Sequence, residues 1–136
     1  MFKFFILCLV SIGLYADAIW YSNVELGLKT ARSYRVPIVV FVYKDGCKYC
    51  RKSIEGFRYP PLKETLTNHS IFPLAIKASD VQTLNRLELY TETYPSYFIL
   101  SEYGKLVTQP VKGFVEPDEL NDYLKRMIIQ YKEIKF

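Results

Sequence analysis

Cysteine is scarce in this sequence, with three residues among 136, and their positions restrict the possible chemistry. Cys8 lies in an N-terminal apolar segment that we expect to be removed. The mature protein then keeps only Cys47 and Cys50, which excludes a framework of structural disulfides. A purely structural bridge across so small a loop would also constrain the unfolded chain little. We therefore interpret the pair as a redox switch.

Histidine and concentrated positive charge are scarce as well. His69 is the only histidine, and it lies in a polar turn remote in sequence from the thiols, so the ligand set of a structural zinc site is incomplete. The formal net charge of +4 is dispersed, and no lysine or arginine cluster with interleaved aromatic residues indicates nucleic-acid binding. Neither a metal site nor a nucleic-acid partner is expected.

The N-terminal hydrophobic run is too short for a membrane span. Phe4–Leu14 falls well below the about 20 apolar residues that cross a bilayer. Lys3 precedes the run, and a small-x-small pattern follows at 16–18. This arrangement predicts a secretory signal peptide over 1–18 and one domain over 19–136, with an uncleaved membrane anchor as the alternative. The mature protein is then expected to be periplasmic or secreted, in a compartment where disulfides persist.

The sequence does contain a C-x-x-C motif in an informative setting. Residues 37–43, PIVVFVY, form an apolar run without alternation, which is typical of a strand covered on both faces. A Lys-Asp-Gly turn signal follows, and then Cys47, where a helix is predicted to begin. A strand, a short turn, the two cysteines and a helix form the context in which a dithiol carries out redox chemistry.

Helices and strands alternate along the rest of the chain. Strands are predicted at 38–43, 71–77 and 96–100, and a hairpin turn at 102–105 predicts a returning strand at 106–111. Helices are predicted to begin at two capping-box patterns, at the first cysteine and at a first-turn proline, namely Ser22, Ser79, Cys47 and Pro117. Pro60 and Pro61 should interrupt the helix that follows the cysteines. The order α-β-α-β-α-β-β-α predicts an α/β fold with a sheet covered on both faces.

With these features, the sequence resembles the thioredoxin superfamily over roughly residues 20–130. Four features carry the resemblance, in order: the strand leading into C-K-Y-C at 47–50, T-Y-P-S at 93–96, the hairpin at 103–105 and V-K-G-F at 111–114. The sequence looks most like the small exported thioredoxin-like proteins. The resemblance implies a three-layer sandwich with a mixed central sheet.

The chemistry of the motif and the resemblance together predict roles for individual residues. Cys47, at a helix N-terminus where backbone N–H groups favour a thiolate, would be the nucleophile, and Cys50 the buried resolving thiol. Lys48 would favour the Cys47 thiolate. The motif at 93–96 resembles the family's cis-proline segment, so Pro95 is expected to follow a cis bond.

Tyr94 and Tyr49 could flank the dithiol as an apolar surface for extended peptides. The alternative is that both tyrosines only pack on neighbouring residues.

The sequence departs from thioredoxin near the motif, in the Lys-Tyr dipeptide between the cysteines and at two positions that precede them. Phe41 stands where thioredoxins carry a buried acid, and Gly46 where they carry tryptophan. The family's proton-relay acid is therefore missing from its usual position. Asp45 and Glu55 remain candidates for that role.

We expect an exported thiol–disulfide oxidoreductase that acts on protein cysteines, with the Cys47–Cys50 disulfide as its only redox group. Cysteine-containing proteins would be its substrates, a membrane electron carrier its redox partner, and a monomer its form. Basic neighbours favour an oxidase, whereas small exported relatives are often kept reduced, so the direction stays open. The alternative is a thioredoxin-fold binding module, a chaperone or copper-handling protein, that uses the same cysteines without turnover.

Overall fold

The computed structural model describes residues 20–69 and 71–135. The expected signal peptide over 1–18, including Lys3 and Cys8, lies outside these ranges, so export and the domain boundary stay predictions. Within them the helices are α1 (Val24–Tyr34), α2 (Lys48–Glu55), α3 (Leu62–Asn68), α4 (Val81–Arg86) and α5 (Pro117–Lys135). The strands are β1 (Ile38–Tyr43), β2 (Phe72–Lys77), β3 (Ser96–Leu100) and β4 (Val111–Lys112).

The strands of the described residues form one mixed sheet in the order β2-β1-β3-β4. β1 pairs in parallel with β2 and antiparallel with β3, and β4 pairs antiparallel with β3. Val42 is opposite Ser96, whereas Ile38 is opposite Leu100. The C-terminal end of β1 and the N-terminal end of β3 therefore lie at the same end of the sheet.

Both faces of the sheet are covered by helices, as the apolar run at 37–43 predicted. One face packs against α2, α3 and α5, and its core includes Val39, Phe41, Cys50, Phe57, Leu62, Tyr97, Ile99, Leu120, Leu124 and Ile128. The other face packs against α1 and α4, and its core includes Ala31, Ile38, Val40, Val42, Leu74, Ile76, Leu84, Phe98 and Leu100. The predicted α/β three-layer sandwich is confirmed. Among the residues described, no helix has both the length and the apolarity needed to cross a bilayer.

Two helices begin one residue later than their capping-box patterns suggest. The α1 cap is Asn23, whose side chain accepts a hydrogen bond from the backbone N–H of Leu26. The α4 cap is Asp80, which accepts in the same way from Thr83. Asparagine and aspartate cap at least as well as serine, so the second residue of each pattern takes the role expected of the first.

The predicted strand over 106–111 is wrong for most of its length. The turn at 102–105 forms, with Gly104 at φ +78°, but Leu106 makes only an isolated bridge to Leu100. Regular pairing resumes only at β4. Pro110 has no backbone N–H to donate to a ladder, which accounts for an interruption just before β4.

A buried hydroxyl pair connects α2 to the sheet. Ser53 Oγ and the Tyr97 hydroxyl are 2.5 Å apart, and both side chains are buried. Burial raises the pKa of Tyr97 and the hydrogen bond with Ser53 lowers it, with burial the larger effect. The phenol therefore stays neutral over the physiological range. The pair holds the helix that carries Cys50 against β3.

We expect Tyr97→Phe to lower the free energy of unfolding by about 1–3 kcal/mol, because it leaves the buried Ser53 hydroxyl without its partner. The double variant Ser53→Ala/Tyr97→Phe should lose less than the sum of the two single variants. Urea unfolding of the oxidised protein measures all three. Tyr34→Phe, at a tyrosine that is 75% exposed, is the matched control. Strictly additive losses would mean that the two hydroxyls are not coupled.

Candidate active site

Cys47 and Cys50 form a disulfide at the N-terminus of α2, at the end of the sheet where β1 finishes. Cys47 is the N-cap residue and half-buried, whereas Cys50 is only 4% exposed. The Cα atoms are 5.2 Å apart, within the usual range for a disulfide. Cys47 is thus the sulfur that a partner could reach, and the roles of nucleophile and resolving thiol stay predictions.

The Cys47 sulfur also has the position of a capping acceptor. The backbone N–H of Cys50 donates to Cys47 Sγ at 3.1 Å. N–H groups in the first turn of a helix have no intrahelical acceptor, and they carry the positive end of the helix dipole. When the disulfide is reduced, the same N–H favours a thiolate at Cys47, because a charged acceptor strengthens the bond.

Exposed cations surround this helix start. Lys44 precedes the motif, and Lys48, Arg51 and Lys52 follow Cys47 on α2. The proposed relay acid Asp45 is itself exposed and forms an ion pair with Lys77 at 3.4 Å. Glu55 is exposed at the end of α2. Cys50 is buried in the core, so neither carboxylate shares its environment.

An aromatic cluster occupies the core next to Cys50. Phe41 is 2% exposed, and its ring centroid lies 5.2 Å from that of Tyr97 and 5.5 Å from that of Trp20. Among the described residues Glu102 is the one buried carboxylate, and it accepts a hydrogen bond from Tyr131. Glu102 follows the far end of β3, opposite the disulfide. The core at the site is therefore apolar except for hydroxyl groups.

The cis-proline segment meets the same end of the sheet. The Tyr94–Pro95 bond is cis, and Pro95 is buried directly before β3. Its carbonyl accepts a hydrogen bond from the Gly113 N–H at 2.7 Å. Gly113 has a φ of +95°, which few side chains tolerate, so glycine is needed where the two loops meet.

Tyr94 is more constrained than the sequence suggested. Its hydroxyl donates to the Thr91 carbonyl at 3.2 Å, and its ring packs against the cores on both sides of the sheet. The side chain therefore has a structural role whether or not it also contacts a substrate.

Tyr49 lies beside an aromatic partner that the sequence reasoning did not select. Tyr49 is 51% exposed, and its ring centroid is 5.3 Å from that of Phe114. Lys52 Nζ lies 5.1 Å from the centre of the Phe114 ring. Phe114 belongs to the V-K-G-F motif, but no local pattern relates position 114 to position 49. Their contact depends on the tertiary fold.

No metal centre is found in the part of the chain that the structure describes: no three His, Cys, Asp or Glu side chains are placed to hold an ion. His69 caps the C-terminal end of α3 through its backbone N–H. The strand β2 that follows His69 starts opposite Ile38, at the other end of β1 from the dithiol.

Comparison with solved structures identifies the same fold. A thioredoxin from Thermus thermophilus superposes with a TM-score of 0.65 at 16% identity, over 84% of this chain and 89% of that one. The C-terminal domain of DsbD from Neisseria meningitidis, in its oxidised form, gives 0.62 at 18% identity, over 79% and 98%. A disulphide isomerase from Xylella fastidiosa gives 0.62 at 14% identity, over 77% and 88%. Identities this low establish the fold alone.

No curated protein sequence gives a significant match. The family model for the thioredoxin-like domain, however, matches residues 24–128, which include the disulfide, the cis-proline segment and most of α5. A C-x-x-C disulfide in this fold supports thiol–disulfide oxidoreductase chemistry in general. On its sequence match and its architecture, the chain belongs to the thioredoxin-like domain family.

Proposed function

We propose that this protein is an exported thiol–disulfide oxidoreductase that acts on cysteines of other proteins. One observation carries the proposal: the half-buried Cys47 sulfur accepts the Cys50 N–H at a helix N-terminus, while Cys50 is enclosed in the core. The first sulfur is accessible and favours negative charge, and the second is shielded from outside thiols. This asymmetry is what a nucleophile and a resolving thiol require.

In the reducing direction, the Cys47 thiolate attacks a client disulfide. A bond forms between Cys47 and one client sulfur, and the other client sulfur leaves as a thiolate with the electron pair. Cys50, after losing its proton, then attacks Cys47 and releases the second client thiolate. The protein ends in the disulfide form, and the two electrons have passed to the client. The oxidising direction is the reverse sequence.

The surroundings of Cys47 favour the reduced thiolate and hence an oxidising disulfide. Phe41 contributes no negative charge that would repel the thiolate, and Lys48 is an exposed cation next to it. The direction used in the cell also depends on the partner that resets the pair, and we propose a membrane electron carrier for that step. No bound cofactor is needed besides the disulfide. The redox state of Cys47 and Cys50 in growing cells is the direct test of direction.

Cys47→Ser should abolish disulfide exchange, because the attacking sulfur is lost. Cys50→Ala should instead accumulate mixed disulfides with clients, since attack proceeds but resolution does not. Insulin reduction measures the loss of exchange, and non-reducing electrophoresis measures the mixed disulfides. Mixed disulfides that form in Cys47→Ala and not in Cys50→Ala would reverse the assignment. Stoichiometric Cu(I) binding without insulin turnover would favour the binding-module alternative.

Lys48→Glu should raise the pKa of the Cys47 thiol in the reduced protein, by less than about one pH unit, because exposed charges are strongly screened. The helix N-terminus should be the larger effect. Exchange initiated by Cys47 should therefore slow as the pH falls through the midpoint. In Lys48→Glu this slowing should occur at a higher pH than in the wild type. Thiolate absorbance in the far ultraviolet, followed through a pH titration, measures the midpoint.

Lys29→Glu, at an exposed lysine of α1 on the other side of the sheet, is the matched control for this titration. Its midpoint should equal that of the wild type. A wild-type midpoint at or above the free-thiol value of about 8.5 would contradict an activated Cys47.

Export predicts a mature protein that begins at Ile19, after the small-x-small pattern at 16–18, or at Asp17, after the second candidate site Leu14-Tyr15-Ala16. Intact-mass analysis of the protein from the envelope fraction of expressing cells measures the N-terminus. A chain that keeps Met1 and sediments with membranes would instead support the uncleaved anchor.

A further inference from the structure

Three side chains beside the disulfide form a surface that we call the basic–aromatic ledge: Tyr49, Lys52 and Phe114. Phe114 contacts both of the others, through the tyrosine ring at 5.3 Å and the lysine Nζ at 5.1 Å. Tyr49 and Lys52 are exposed and three residues apart on α2, so they lie on neighbouring parts of its surface. The ledge thus combines an aromatic contact area with a cation held at its edge.

The ledge is fixed to the dithiol site at both ends. Tyr49 lies within the C-x-x-C motif. Phe114 follows Gly113, whose N–H donates to the Pro95 carbonyl, so its loop is joined to the cis-proline segment. A client segment that places a sulfur on Cys47 and crosses toward the V-K-G-F loop would therefore pass over the ledge.

The charge of these segments is mainly positive. Residues 44–52 and 112–116 contain five cations and two carboxylates. One of the carboxylates, Asp45, is paired with Lys77, which leaves Glu116 as the other. Lys48 and Lys52 are one helical turn apart, so their charges act on the same region. Acidic groups of a client would be attracted to this region and basic groups repelled.

From these contacts and charges, we propose that the ledge selects extended client segments that carry aspartate or glutamate next to the reacting cysteine. The inference rests on the proposed function and specifies its substrate class. Tyr49 and Phe114 supply contact area to the client chain, and Lys52 and Lys48 attract the acidic side chains. The chemical step is unchanged: Cys47 forms a bond to the client sulfur, and the departing sulfur keeps the electron pair.

Three peptides test this selection. Each contains one cysteine activated as a mixed disulfide with the chromogenic thiol thionitrobenzoate, flanked by glutamate, glutamine or lysine in an otherwise identical sequence. Attack of reduced Cys47 on the peptide sulfur releases the coloured thiolate, so the leaving group is the same in all three. Stopped-flow absorbance gives the second-order rate constants.

At low salt, the glutamate peptide should react at least about fivefold faster than the lysine peptide. The ratio of the glutamate to the lysine rate constant should approach one near 1 M salt, because charges more than about 3 Å apart are largely screened there. Lys52→Gln should reduce the ratio about twofold to fivefold, the effect of one exposed charge pair. Lys52→Arg should restore it. Lys29→Gln is the control for net charge and should leave the ratio unchanged.

The glutamine peptide separates the two proposals. If it reacts no faster than with a free cysteine thiolate, the proposed function itself fails. If it reacts quickly but the glutamate and lysine peptides do not differ, exchange stands and the selection for acidic clients is wrong. A ratio that Lys52→Gln and Lys29→Gln lower equally would also overturn the ledge, because it would reflect only the overall charge.

Discussion

The whole structure depends on β1 being buried on both faces. Residues 38–42 are at most 2% exposed, so each side of the strand must be covered by helices. That requirement produces the three layers, and it also determines where the chemistry is placed. The chain leaves the core at Tyr43, turns at once and enters α2. Cys47 therefore lies at the end of a central strand of a rigid sheet rather than on a free loop, which is the positioning that a reacting group needs.

Two hydrogen bonds organise the site at this end of the sheet. The Cys50 N–H donates to the Cys47 sulfur, and the Gly113 N–H donates to the Pro95 carbonyl, which joins the loop before α5 to the cis-proline segment. Both use backbone donors, so the geometry depends on the path of the chain more than on side-chain identity. This explains why the fold agrees with that of a thioredoxin, a DsbD domain and a disulphide isomerase at 14–18% identity. What distinguishes this chain is the set of side chains placed around that backbone.

The sequence predicted the parts of the fold that local rules control. The unalternating run at 37–43, the helix start at the cysteines, the break at Pro60–Pro61 and the proline start of α5 all reflect local sterics and burial. The strand predicted over 106–111 failed for most of its length because a turn signal alone does not place the following segment in the ladder, and Pro110 has no N–H to donate to it. The Tyr49–Phe114 contact and the packing of Tyr94 against both cores involve residues that are distant in sequence. Single-sequence patterns carry no signal for such pairs.

The replacement of the buried acid by Phe41 affects the two cysteines in opposite ways. At Cys47 the lack of a buried negative group, together with the pairing of Asp45 with Lys77, lets the helix N-terminus and the lysines favour the thiolate. At Cys50 the surroundings are apolar, with Trp20, Phe41 and Phe57 in the same core, and burial favours the neutral thiol. Cys50 must lose a proton to resolve a mixed disulfide, and no described carboxylate is buried at this end of the sheet to accept it. Under the proposed function, the apolar core therefore opposes the proton loss that resolution by Cys50 requires, while the helix N-terminus favours the thiolate with which Cys47 begins the exchange.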